Sequence, residues 1–176
     1  KYPSNRSSFI SLATGISAVE SLKKRNIECS LKWPNDIYYQ ERKLGGILCE
    51  SKIKKDSINK IVVGLGINVN ETIEEHPKDL QKTLTTMFSI TNHAHQRELI
   101  VAEFINSFER QLNKLNDEPN SIIEEWLNHC FHLNKKVSFS TNNKLDKGTF
   151  IGLNENGYAQ IEINGEIKTY NSINLI

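Results

Sequence analysis

The sequence has no excess of either charge: 22 Lys and Arg face 21 Asp and Glu across 176 residues. Nucleic-acid binding usually leaves a strongly basic stripe, so that balance gives no reason to expect DNA or RNA. Long apolar runs are missing too, and none approaches the roughly 20 residues that cross a bilayer. The chain opens without a signal-peptide pattern and at Lys1 rather than Met, so its natural start is expected upstream. Cysteine is scarce. Cys29, Cys49 and Cys130 are odd in number and match no zinc or redox spacing, which suits reduced thiols in the cytoplasm. His76, His93, His95, His129 and His132 never pair at a metal spacing with a third ligand, so no metal site is expected. A content of 38% hydrophobic and 24% charged residues describes a globular chain. At this length roughly 70% of the unfolded surface is buried on folding, so no disulfide or metal staple is required.

Periodicity predicts a core helix from about Ser8 to Arg25, with Phe9, Leu12, Ala13, Ile16, Val19 and Leu22 on one stripe. Ser7 or Ser8 can cap it, and Gly15 inside it suggests close packing. Short extended runs follow at Cys29–Trp33, Ile37–Tyr39, Gly46–Ser51 and Lys60–Asn68, with Lys54–Asn59 as a polar turn. The last run is apolar on both faces, as a central strand should be. Residues 69–94 read as a long loop with one short helix. Helical periodicity returns from Gln96 to Leu115, where Leu99, Ile100, Phe104, Ile105, Phe108, Leu112 and Leu115 share a side. Pro119 breaks it, and a shorter helix with Ile122, Ile123, Trp126 and Leu127 follows. After Asn134, strands are expected at Val137–Ser140, Gly148–Leu153, Tyr158–Ile163 and Glu166–Tyr170, with a hairpin turn at Asn164-Gly165. Such closely spaced strands suggest a small barrel, and a domain boundary is placed near residue 134.

Three clusters within residues 32–70 carry candidate chemistry. Lys32-Trp33-Pro34-Asn35-Asp36 puts a lysine at a strand end pinned by a Trp and a Pro. A restrained ammonium can hold a carboxylate and neutralise charge that develops on a phosphate. Taken alone, a surface lysine before a turn is the simpler explanation. Lys43-Leu44-Gly45-Gly46-Ile47-Leu48, followed by Glu50, places two glycines at a strand entrance, where backbone approaches either a ligand or a neighbouring strand. Gly64-Leu65-Gly66-Ile67-Asn68-Val69-Asn70 leaves space above the sheet, and Asn68 can read a polar ring edge. It lacks the third glycine and the helix of a dinucleotide fingerprint.

In this order and spacing the clusters resemble the three signatures of the biotin protein ligases, and the resemblance extends over essentially the whole chain. It implies an α/β (α+β) fold: a mixed sheet backed by helices, residues 1–133, then a small SH3-like barrel, residues 134–176. It also implies ATP-dependent activation of biotin to biotinyl-AMP, with Mg²⁺ accompanying ATP, and transfer to a lysine of a biotin carboxyl carrier protein. Carried over, Lys32 would contact the biotin carboxylate and the α-phosphate by charge. Trp33, Asn35, Asp36, Gly45, Gly46, Ile47 and Leu48 would surround the substrate, and Gly64, Gly66, Asn68 and Asn70 the nucleotide. A homodimer is allowed; no membrane and no nucleic acid are implied by these residues. The family's glycine- and arginine-rich loop would precede Lys1, so the 176 residues alone are expected to catalyse poorly. The alternatives are a lipoate or octanoate ligase or transferase of the same superfamily, and a non-catalytic biotin-binding or interaction fragment.

Overall fold

The computed structural model describes residues 7–54, 57–141 and 144–175. Helix α1, Ser7–Lys23, lies at the centre of the first half. The expected stripe is buried, and so are Thr14, Ser17 and Ser21 behind it. Those hydroxyls donate to carbonyls of their own helix, Thr14 to Ile10, Ser17 to Ala13 and Ser21 to Ala18, at 2.6–2.8 Å. No polar group is thereby orphaned, and the helix can be covered on nearly every side. Gly15 lets α1 approach the sheet: a Cβ there would lie 3.2 Å from the Leu31 side chain and 3.5 Å from Ile47. Ser8, expected as a cap, sits inside the helix, and its hydroxyl donates to Asn156 O at 2.5 Å.

Strands β1 (Ser30–Lys32), β2 (Asp36–Tyr39), β3 (Arg42–Lys54) and β4 (Ser57–Ile67) form one sheet in that order. Helices back it, as expected of the α+β class. The strand pairs are antiparallel, with parallel pairing among the described residues confined to the isolated bridges Leu31–Cys130 and Lys43–Leu84. β3 and β4 make a longer hairpin than expected; only residues 55 and 56 of the expected polar turn lie outside the described residues. Among the described residues β4 is the edge of this sheet rather than a central strand. Its Leu65 and Ile67 share a groove with Ile100 and Phe104, while Val62, Gly64 and Gly66 on the opposite face are exposed. Two faces of different origin therefore produced the run of apolar residues.

The 69–94 stretch holds a 3₁₀ turn, Ile73–Glu75, and the short helix α2, Met87–Thr91, capped by Thr86. Helix α3 (Arg97–Asp117) buries Ile100, Ser107, Gln111 and Leu115. Leu99 and Ile105, expected in its core stripe, are instead 52% and 55% exposed. Gln111 takes a buried place because its amide donates to Glu125 at 2.9 Å. Pro119 opens α4 (Pro119–Asn128), where its missing N–H costs nothing. Strands β5 (Lys136–Thr141), β6 (Lys144–Leu153), β7 (Ala159–Ile163), β8 (Glu166–Tyr170) and β9 (Asn174–Leu175) form a second antiparallel sheet, ordered β8-β7-β6-β5-β9 around Phe139, Phe150 and Ile161. Asn164 and Gly165 both have positive φ, +53° and +84°, as the expected hairpin turn requires. The turn at 154–157 of this sheet rests on the first half, where Trp33 Nε1 donates to Gly157 O at 3.3 Å.

Candidate functional site

Side chains alternate across a strand, so register decides which motif residues meet. Asp36 pairs with Gly46, Gly46 with Gly66, and Leu48 with Gly64. Lys32 pairs with Asp36 on the neighbouring strand. These residues share one face of the first sheet, opposite the face on which Leu31, Ile37 and Ile47 pack toward α1. Three of the positions are glycines, so the face is a bare floor. The floor is an open hollow of about 430 Å³, lined by Asn35, Asp36, Lys43, Gly46, Leu48 and Gly64 among others. Its size is within the range of small-molecule sites.

Charge is concentrated at one end of that hollow. Lys43 holds Asp36 in an ion pair at 2.5 Å. Lys32 has no hydrogen bond or ion pair among the described residues, and its ammonium lies 5.4 Å from the centroid of the Tyr38 ring. Burial lowers its pKa; Asp36 opposes that effect and Lys43 adds to it. An under-solvated cation beside a second cation is set to accept an anion.

The other expected site residues lie beneath or beside this face. Trp33 is buried and turned toward Gly157. Asn35 ties the first motif to the second: its amide donates to Ile47 O at 2.8 Å, and Ile47 N–H donates to Asn35 O at 2.8 Å. Gly45 and Ile47 face inward. The Asn68 amide donates to Thr85 O at 3.0 Å. Asn70 spends both ends of its amide on the His95 main chain, at 2.9 and 2.8 Å. Residue-by-residue reading missed Tyr38, although alternation from Asp36 along β2 puts it on the open face. The Cys49 thiol is half-buried and burial raises its pKa, which suits a packing residue better than a nucleophile.

The two adjacent glycines have different physical reasons. A Cβ on Gly45 would lie 2.4 Å from Gly66 O, so β3 and β4 would have to part. A Cβ on Gly46 would meet nothing closer than 3.5 Å. Gly45→Ala is therefore expected to cost roughly 1–3 kcal/mol of stability, whereas Gly46→Ala should stay within about 0.5 kcal/mol of the parent. Urea midpoints measure both, and equal midpoints for the two variants would contradict the close-approach explanation.

The profile of the Biotin/lipoate A/B protein ligase family matches residues 1–68. The bifunctional ligase/repressor BirA of Bacillus subtilis is 23% identical over 94% of this chain and 52% of its own length. BirA of Escherichia coli is 29% identical over 92% of this chain and 50% of its own length. The chain thus spans about half the length of these curated relatives. The crystal structure of biotin protein ligase from Aquifex aeolicus superposes with a TM-score of 0.85 at 30% identity, covering 97% of this chain and 75% of that one. Another structure of the Aquifex aeolicus enzyme, in complex with biotin and ATP, gives a TM-score of 0.82. Sequence and fold agree over nearly all of its length: the chain belongs to the biotin protein ligase family.

Proposed function

We propose that the protein activates biotin with ATP and transfers it to a lysine of a carrier protein. The observation that carries this is the coincidence, on one face, of the first motif's ammonium, without an anionic partner among the described residues, and a floor of glycines drawn from the other two motifs. Biotin would lie against Gly46 and Leu48 with its carboxylate at Lys32, while Gly64 and Gly66 leave room for the nucleotide. Asn35 acts by fixing the first motif on the second, and Trp33, Gly45 and Ile47 by packing the floor from below. Asn68 and Asn70 shape the loop beyond β4, with Asn68 toward the adenine.

In the first step a biotin carboxylate oxygen bonds to the α-phosphorus of ATP, and the bond to pyrophosphate breaks. Negative charge grows on the phosphoryl oxygens, where the Lys32 ammonium neutralises it without giving up a proton. In the second, the carrier's lysine amine attacks the acyl carbon, AMP leaves, and the amine's proton passes to solvent. Mg²⁺ would enter with ATP, held mainly by the phosphates. Among the described residues no cluster of three or more His, Cys, Asp or Glu forms a cage, and Asp36 is engaged by Lys43. The second sheet, residues 134–176, we take as a small SH3-like unit that braces Trp33 through Gly157. No helix among the described residues is long and apolar enough to cross a membrane. Three free thiols suit the reducing cytoplasm.

Gly46→Val tests the placement of biotin. A branched side chain would fill the hollow beside Asp36 and Lys43. Titration calorimetry of the folded full-length variant with biotin is expected to show affinity lowered by roughly tenfold or more, the scale of a lost pocket contact. Unchanged affinity would place biotin elsewhere.

A further inference from the structure

Lys32 rests on an aromatic stack that reaches into the segment leading to the second sheet. Its ammonium lies over Tyr38, and Tyr38 stacks on Phe131 with centroids 5.4 Å apart and planes at 28°. The Lys135 ammonium lies over the Phe131 ring, 4.7 Å from its centroid. Phe131 is indexed to the strand that carries Lys32: its N–H donates to Leu31 O at 2.8 Å, and Leu31 N–H donates to His129 O at 2.7 Å. The stack therefore cannot slide relative to β1 without breaking main-chain bonds.

The chemistry of this support matters. The carboxylate that faces Lys32 across the ladder, Asp36, is held by Lys43. A carboxylate partner would consume N–H donors of the ammonium and cancel its charge. An aromatic face attracts the cation through its quadrupole, leaving charge and donors available to an incoming anion. We propose that Tyr38 is a positioning residue that holds the Lys32 ammonium on the glycine-floored face, beside Asp36 at the edge of the hollow, with Phe131 propping its ring. This rests on the ligase reading of Lys32 given above.

The test compares Tyr38→Phe and Tyr38→Leu in the full natural chain, each alone and combined with Lys32→Ala, by biotin-dependent pyrophosphate release. Tyr38→Phe keeps a ring face and should retain near-parent rates. Tyr38→Leu should lose roughly three- to thirtyfold in kcat, the scale of a cation–π contact, with KM for ATP little changed. The same change made in Lys32→Ala should cost nothing further, because the contact is already gone. Full activity of Tyr38→Leu, failure of Tyr38→Phe, or a Tyr38→Leu loss that persists without Lys32 would each overturn the proposal. An activity-independent readout covers a variant that does not fold. In the parent protein, the Lys32 ε-methylene protons, identified by their loss in Lys32→Arg, should be shifted upfield by the ring current, and an unshifted resonance overturns the proposal. Full activity of Lys32→Ala would overturn the ligase reading instead, while the ring-current shift would still decide the placement of Lys32 over Tyr38.

Discussion

Lys32→Ala is expected to lower biotin-dependent pyrophosphate release by roughly 10²–10³-fold, the usual cost of removing one group aimed at developing negative charge. The melting temperature should change little, since the Lys32 ammonium makes no hydrogen bond or ion pair among the described residues. Asp36 stays paired with Lys43 in the variant, so no buried charge is stranded. Lys32→Arg should fail as well. A planar guanidinium presents its donors in a fixed fork, and it does not place a compact charge at the same point over Tyr38. Rates near the parent for Lys32→Ala, in protein shown to be folded, would remove Lys32 from the reaction.

The second large effect concerns stability in acid. His132 is 4% exposed, and neither ring nitrogen has a hydrogen-bond partner among the described residues. Its ring lies edge-on to Phe150 at 4.2 Å and to Trp126 at 6.4 Å. Burial pushes its pKa down to about 4, and the cations of Lys32 and Lys135 act in the same direction. In the unfolded chain it titrates near 6.5. Between these two values the unfolded state binds the extra proton, so stability is fully present above pH 6.5 and falls as pH drops toward 4. The difference corresponds to about 3 kcal/mol. His132→Phe keeps a ring against Phe150 but cannot titrate. Its loss of stability between pH 7 and pH 4.5 should be smaller than the parent's by about 2–3 kcal/mol. Burial also lowers the pKa of His95 and His129, but both remain in parent and variant alike, so the difference isolates His132. Identical pH slopes in urea titrations would contradict a neutral buried His132.

The local features of this fold were legible because short-range rules create them. Asn164-Gly165 can adopt the paired positive φ of a tight hairpin, and four of the five strands after residue 134 follow from alternation around such turns; the two-residue β9 is too short to show a period. The motif glycines were legible as a group, but not their separate duties. Only the register of β3 on β4 shows that Gly45 faces Gly66 O while Gly46 faces the Asp36 and Lys43 side chains at ordinary contact distance. Edge position was hidden for a similar reason. Apolar residues on both faces of β4 suggest a central strand, yet hydropathy does not say which neighbour supplies the burial. Helix α3 shows the same limit. Its period was plain, but Leu99 and Ile105 lie outside the arc that packs, and that arc instead takes in Ser107 and Gln111. Alternation along β2 puts Tyr38 on the open face, but its stacking on Phe131 joins residues 93 positions apart, and nothing in either segment alone pairs the two rings.

Acyl selectivity tests the functional reading most directly. The full natural chain is supplied with Mg²⁺–ATP and, in separate reactions, with biotin, lipoate or octanoate, and pyrophosphate release is followed. Biotin alone is expected to drive release, with the label then passing to a lysine of a biotin carboxyl carrier domain. Release driven by lipoate or octanoate but not by biotin would contradict it, and would assign the glycine-floored face to a different acid.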